Sequence, residues 1–137
     1  MKKLISFFLT ALLICSTASA QTFVSLSQLQ QHLESHSPSQ SMAAGTHYLE
    51  IEGTIDSITW TGASNHYDMI LLVDDEKASA PIGASSPQLR VHFRLHKDQP
   101  PFQPGDVITV FGSVDELYSS VMVPMILAKT INGSEDF

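Results

Sequence analysis

The sequence predicts an all-β fold: a small five-stranded barrel preceded by a short amphipathic helix. Five apolar, strand-like segments lie between Tyr48 and Ile131, with the cleanest alternation at Leu89–Leu95, and turn-forming residues separate these segments. The first segment (YLEIEGTIDSITW) changes parity after Asp56, from odd to even apolar positions. A bulge or kink must absorb such a shift, and a long curled strand is what a closed barrel requires. Its inward-facing residues are predicted to be Leu49, Ile51, Ile55, Ile58 and Trp60.

Residues 1–20 have the pattern of a bacterial signal peptide, cleaved after Ala20. Two lysines precede the apolar run from Leu4 to Ile14, and small residues form the cleavage site. We therefore expect a periplasmic or secreted protein with no transmembrane segment after cleavage. Cys15 follows Ile14 rather than the small residue of a lipoprotein signal, so we expect it to be removed. The mature chain would then have no disulfide and no thiol chemistry.

The mature chain is predicted to hold one domain of 137 − 20 = 117 residues. Residues 21–46 form a helix and linker, 47–133 the barrel, and 134–137 a frayed polar tail. Removing two lysines from a chain of net charge −7 gives −7 − 2 = −9. This acidic balance disfavours nucleic acid as a partner.

The helix is expected from Phe23 to His36, with a leucine face that docks on the barrel. Ser25 is a candidate N-cap, and Gln28 completes a capping box. The strands are predicted at Tyr48–Trp60, Tyr67–Val73, Leu89–Leu95, Val107–Val114 and Val121–Ile131. The long loop Asp74–Gln88 is either functional or a tolerated insertion.

The segment Pro104–Gly112 (PGDVITVFG) is similar to the P-G-D-x-V-x-V-x-G entry to the fourth strand of many OB domains. The chain thus resembles an exported bacterial OB-fold domain of the kind that binds nucleic acids or oligosaccharides. The resemblance implies a tight Pro-Gly-Asp turn, a bend at Gly112, and ligand binding on the face of the second and third strands. Many OB domains place a helix before the fourth strand, whereas residues 97–106 are rich in proline. The N-terminal helix could plug the barrel end instead, or pack elsewhere.

The outward side chains of the third strand are the first candidate site. Arg90, His92 and Arg94, followed by His96, alternate with apolar residues. Such a basic stripe suits a carboxylate, phosphate or sulfated sugar. The competing interpretation is a surface neutralised by Glu50, Glu52 and Asp68 across the strands.

Aromatic side chains at two turns are the second candidate. Trp60, His66 and Tyr67 surround the first turn, and Tyr118 lies in the last one. Together they could form a stacking platform, or cap the core. With the basic stripe, the predicted ligand-binding residues are Arg90, His92, Arg94, Trp60, Tyr67 and Tyr118.

The sequence contains no recognisable motif for catalysis or for cofactor binding. We expect no enzyme, no cofactor and no metal site: His32 and His36 have helical i, i+4 spacing but no further ligand beside them. The predicted function is therefore a non-catalytic binding module for an unknown protein or small anionic ligand. The alternatives are an accessory subunit of an envelope assembly and a weak single-stranded nucleic-acid binder.

Overall fold

The computed structural model describes residues 21–35 and 47–137. The predicted signal peptide with Cys15, the candidate metal ligand His36 and the whole linker (residues 37–46) lie outside these residues. The elements are β1 (Gln21–Phe23), α1 (Leu26–Ser35), β2 (His47–Trp60), β3 (His66–Leu72), β4 (Gln88–Arg94), β5 (Val107–Val114) and β6 (Met125–Ile131). The barrel strands begin and end within one residue of prediction, except β6, whose predicted first part (residues 121–124) is not strand.

The strands β2 to β6 close into a barrel. They follow the order β2-β3-β4-β6-β5, and β5 pairs back to β2. The β4–β6 pair is parallel and the other barrel pairs are antiparallel. This is OB-fold connectivity, so the predicted fold class is confirmed. The sequence did not predict β1, which adds to β2 in parallel.

The strand β2 bends where the sequence changes parity. Its first part, up to Thr54, pairs with β5, and the part from Thr54 onward pairs with β3. Between them Ile55 pairs with Leu71 and Ser57 with Ile70, which leaves Asp56 as a bulge. The predicted parity break is therefore confirmed. One strand serves two sides of the barrel because the extra residue turns it.

The Pro-Gly-Asp turn is fixed to this bulge. Gly105 donates its N–H to the carbonyl of Ile55 at 2.8 Å, and Ile55 donates to the carbonyl of Asp106 at 2.9 Å. The Asp106 carboxylate closes the turn by accepting the Gln103 N–H at 2.9 Å. Gly105 has φ 97°, a left-handed conformation that favours glycine. The turn predicted from the OB resemblance is thus present.

The helix α1 docks on the barrel through its leucines, as predicted. Leu26 and Leu29 are fully buried in the same core as the barrel strands, and Leu33 packs against it. Ser25 Oγ accepts the Gln28 N–H at 3.3 Å, while the Gln28 side chain accepts from Val24 rather than from Ser25. A ten-residue helix is marginal alone, so this burial stabilises it.

Two expectations about the ends of elements are wrong. Trp60 keeps the inward parity of β2, but it is the last residue of the strand and is 60% exposed. The last residues are not frayed: Phe137 is buried against Phe93, and its carbonyl accepts the His96 N–H at 2.6 Å. The phenyl ring of Phe137 carries enough apolar area to dock a short tail. No helix in the described ranges is long and apolar enough to cross a membrane.

Candidate ligand-binding face

The strand β4 presents its polar side chains as predicted. Leu89, Val91 and Phe93 are buried, Arg90 and Arg94 are exposed, and His92 is half-buried. Alternate residues on one strand lie about 7 Å apart, since each residue advances the strand by about 3.3 Å. His92 therefore stands between two guanidinium groups on the outer surface of the barrel.

A chain of hydrogen bonds crosses this face between β3 and β4. His92 Nδ1 lies 2.9 Å from Asp68 Oδ1, and His92 Nε2 lies 3.0 Å from His66 Nδ1. The register explains the contacts, because Asp68 is opposite His92 and His66 is opposite Arg94. We call Asp68, His92 and His66 the relay.

The relay restricts where protons can sit. An ionised Asp68 accepts from His92 Nδ1–H, so the neutral His92 has a lone pair at Nε2 and accepts from His66 Nδ1–H. One added proton on His92 reverses the second bond, and His66 then presents an N–H at its outer nitrogen. The outer edge of the relay can thus act as acceptor or donor.

Neither arginine of the face has a carboxylate partner within 4.0 Å among residues 21–35 and 47–137. The proposed neutralisers Glu50 and Glu52 are exposed on β2, but they lie opposite Phe111 and Thr109 of β5 rather than beside β4. That part of the prediction is wrong, because the first half of β2 pairs with β5. Asp68 is the carboxylate that reaches the stripe, and it binds His92.

The predicted aromatic residues lie at two turns of the barrel. Trp60 is opposite Tyr67 next to the first turn, and its indole N–H donates to the Ala63 carbonyl at 2.9 Å. The Tyr67 ring stacks on Phe93, with 5.7 Å between centroids, and so belongs to the barrel end rather than to the outward stripe. Tyr118 is 73% exposed in the turn before β6.

Pairing shows how far apart these aromatics lie. Trp60 is opposite Tyr67, which is opposite Phe93, so these three share the inward face of the sheet, whereas Arg94 points outward. The turn with Tyr118 leads to Met125, the partner of Arg90. Arg90 and Arg94 are about 13 Å apart along the strand, four residues at about 3.3 Å each. Trp60 and Tyr67 therefore lie near one end of β4 but on the other face of the sheet from the basic stripe, and Tyr118 lies in the turn that leads to the partner of Arg90.

Side chains that could ligate a metal ion come together away from the β3–β4 face, in the described part of the chain. In the relay, Asp68 and His66 bind opposite nitrogens of one imidazole, so the three cannot share an ion. His32, His47 and Glu116 instead place their ligand atoms within 4.8 Å of one another. The sequence predicted neither this cluster nor the role of His66. Extending the third-strand alternation to its neighbour would have revealed His66, whereas no local pattern links His32 with Glu116.

No family model matches the chain, and no curated protein matches it significantly. Among solved structures, it is similar to the S. pombe Stn1–Ten1 complex (TM-score 0.43, 21% identity, 61% of this chain and 55% of that one). It is also similar to yeast Stn1 and Ten1 (TM-score 0.49, 12% identity, 82% and 61% covered). A third is a Klebsiella pneumoniae lipoprotein described as nucleic acid-binding (TM-score 0.49, 22% identity, 79% and 87% covered). The chain spans 55% and 61% of the length of the first two. Strand order, and not these likenesses, establishes the barrel.

Proposed function

We propose that this protein is an exported, non-catalytic binding module that holds an anionic ligand on the outer face of β3 and β4. One observation carries the proposal: Arg90 and Arg94 flank the relay on an open strand face, and neither has a carboxylate partner in the described ranges. Arginine forms paired, charge-assisted hydrogen bonds with carboxylates, phosphates and sulfates. The relay between the two arginines adds a hydrogen-bonding edge at His66.

Charge favours a compact anion over a long polyanion. The chain has 14 acidic and 7 basic side chains, so the field away from the face repels extended phosphate backbones. Two exposed aromatic rings, Trp60 and Tyr118, favour a second candidate, weak binding of single-stranded nucleic acid. Bases stack on such rings without sequence preference.

Isothermal titration calorimetry gives a direct assay of binding to this face. Wild-type protein is titrated with three probes: inorganic phosphate, a sulfated disaccharide and an oligothymidylate. The double variant Arg90→Ala/Arg94→Ala should bind the probe with the highest affinity at least about 10-fold more weakly, because each lost charge-assisted bond contributes about 1.5 kcal/mol or more.

The control is Lys77→Ala/Lys129→Ala, which removes the same charge from other surfaces. Equal losses in the two double variants would mean that the response reports net charge, and the proposal would fail. It would also fail if the wild type bound none of the three probes. Tightest binding of the oligothymidylate, with a steep salt dependence, would replace the compact anion by nucleic acid. Cleavage of that probe would overturn the non-catalytic assignment.

A further inference from the structure

Two imidazoles and a carboxylate meet where α1, β2 and the turn before β6 converge. His32 Nε2 lies 2.6 Å from Glu116 Oε1, and His47 Nδ1 lies 3.6 Å from the same oxygen. The two imidazole centroids are 4.6 Å apart. The three residues come from distant parts of the chain, so tertiary folding assembles the group. We call it the His-His-Glu cluster.

The cluster is closed off from solvent. The side chains of His32, His47 and Glu116 are only 10%, 7% and 9% exposed. Phe23 of β1 lies against both imidazoles, with centroid distances of 5.3 Å to His32 and 5.8 Å to His47. A buried carboxylate is costly unless a positive charge or strong donors compensate it. Either a protonated imidazole or a cation can serve that purpose here.

We propose that the His-His-Glu cluster is a binding site for one divalent transition-metal ion of the Zn²⁺ class. Two imidazole nitrogens and one carboxylate oxygen form a donor set that Zn²⁺ uses in proteins. Ca²⁺ and Mg²⁺ prefer oxygen ligands in larger number, so this donor set disfavours them. The proposal departs from the sequence prediction, which found no partner for His32.

The distances allow the ion to enter with small movements. Ligands at about 2.0–2.2 Å from a tetrahedral centre lie about 3.3–3.5 Å from one another. The 3.6 Å separation of His47 Nδ1 and Glu116 Oε1 already fits, and the 2.6 Å contact of His32 must open. That short contact contains a proton, which must leave His32 Nε2 before the nitrogen can ligate. Protons therefore compete with the metal.

The consequence of binding would be mechanical. His32 belongs to α1, a ten-residue helix, whereas His47 is the first residue of β2 and Glu116 lies in the turn between β5 and β6. A bound ion would link the C-terminal half of the helix to the barrel. In that half Leu33 is only partly buried, whereas Leu26 and Leu29 in the first half are fully buried. The sequence contains one cysteine, so an intrachain disulfide cannot provide that link. A metal that binds only the folded state raises its stability.

The test uses the full-length gene product, purified without an affinity tag and freed of metal with a chelator. Calorimetry should show one Zn²⁺ per chain at micromolar protein, with an increase in the thermal midpoint. Co²⁺ should give the visible absorption bands of a tetrahedral site. Glu116→Gln should weaken Zn²⁺ binding by more than about 100-fold, since even residues that only orient a ligand contribute about 10–100-fold.

The matched control is His92→Gln, which removes an imidazole bonded to a carboxylate and to a second imidazole in the relay. It should leave Zn²⁺ affinity unchanged. Equal loss in both variants, or no stoichiometric binding by the wild type, would overturn the proposal. If Glu116→Gln fails to fold, imidazole ¹⁵N shifts of the wild type decide the matter. Zn²⁺ must then perturb His32 and His47 and not His66 and His92, and the opposite pattern would refute the site.

Discussion

Asp75 connects the long loop between β3 and β4 to the N-terminal helix. One carboxylate oxygen accepts the N–H of Ser27, in the first turn of α1, at 3.0 Å, and the other accepts the N–H of Lys77 at 3.0 Å. The helix thus receives a cap from a residue 48 positions away. The sequence allowed this loop to be either a functional segment or a tolerated insertion. In the structure it holds the helix against the barrel.

We expect Asp75→Asn to lower the free energy of unfolding by about 1–2 kcal/mol. A hydrogen bond to a charged group contributes about 1.5–3 kcal/mol when well shielded, and the partial exposure of Asp75 reduces this to about 1 kcal/mol for each bond. Asparagine keeps one acceptor oxygen but turns an NH₂ group toward the second N–H. It also removes the negative charge at the helix N-terminus, which contributes about 0.3–1 kcal/mol.

The effect should depend on pH in a defined direction. Burial raises the pKa of Asp75, but the hydrogen bonds from Ser27, Lys77 and Ala78 outweigh it and hold the pKa below the usual 3.8. A carboxyl whose folded-state pKa is lowered stabilises the protein above its unfolded pKa. That contribution is lost as the pH falls through the folded value. The gap between wild type and Asp75→Asn should therefore shrink in acid.

Urea unfolding at about pH 7 and about pH 2.5 measures both quantities. The control is Asp74→Asn, an exposed neighbour that should change stability by less than about 0.5 kcal/mol. Amide hydrogen exchange in residues 26–35 reports whether the helix loosens first. Equal effects of the two variants, or a gap that persists in acid, would refute the capping role of Asp75.

Two further predictions concern packing. Gly112→Ala should destabilise the protein by about 1–3 kcal/mol or more, because a Cβ there overlaps the carbonyl of Leu127 at the β5–β6 bulge. Urea unfolding should show a larger loss of stability for Gly112→Ala than for Gly53→Ala, whose Cβ would be 3.0 Å from its nearest neighbour. The reverse order would contradict this packing. Gln30→Ala should cost about 1–3 kcal/mol, because the buried amide donates to the Ser79 carbonyl at 2.8 Å and accepts its N–H at 2.7 Å. Thermal unfolding beside the exposed neighbour Gln31→Ala checks this, and equal midpoints would exclude the Gln30 contact as a stabilising one.

Strand positions and the bend of β2 could be predicted because they depend on local periodicity. Alternation places Leu89, Val91 and Phe93 on one face and Arg90 and Arg94 on the other, whatever their neighbours. The partners of that outer face could not be predicted so directly. Glu50 and Glu52 have the right charge and the right face, but the bulge at Asp56 sends that half of β2 to β5.

The sequence by itself determined a five-stranded barrel, a docked helix and a basic stripe on the third strand. These depend on side-chain period, turn chemistry and apolar burial, all of which act over a few residues. Tertiary structure decided which groups meet: the β3–β4 register brings Asp68, His92 and His66 together in the relay, and helix docking brings His32 to His47 and Glu116 in the buried cluster. Strand register and helix docking bring together residues as many as 84 positions apart. No local pattern encodes the contact between His32 and Glu116, because it follows from how the helix docks on the closed barrel.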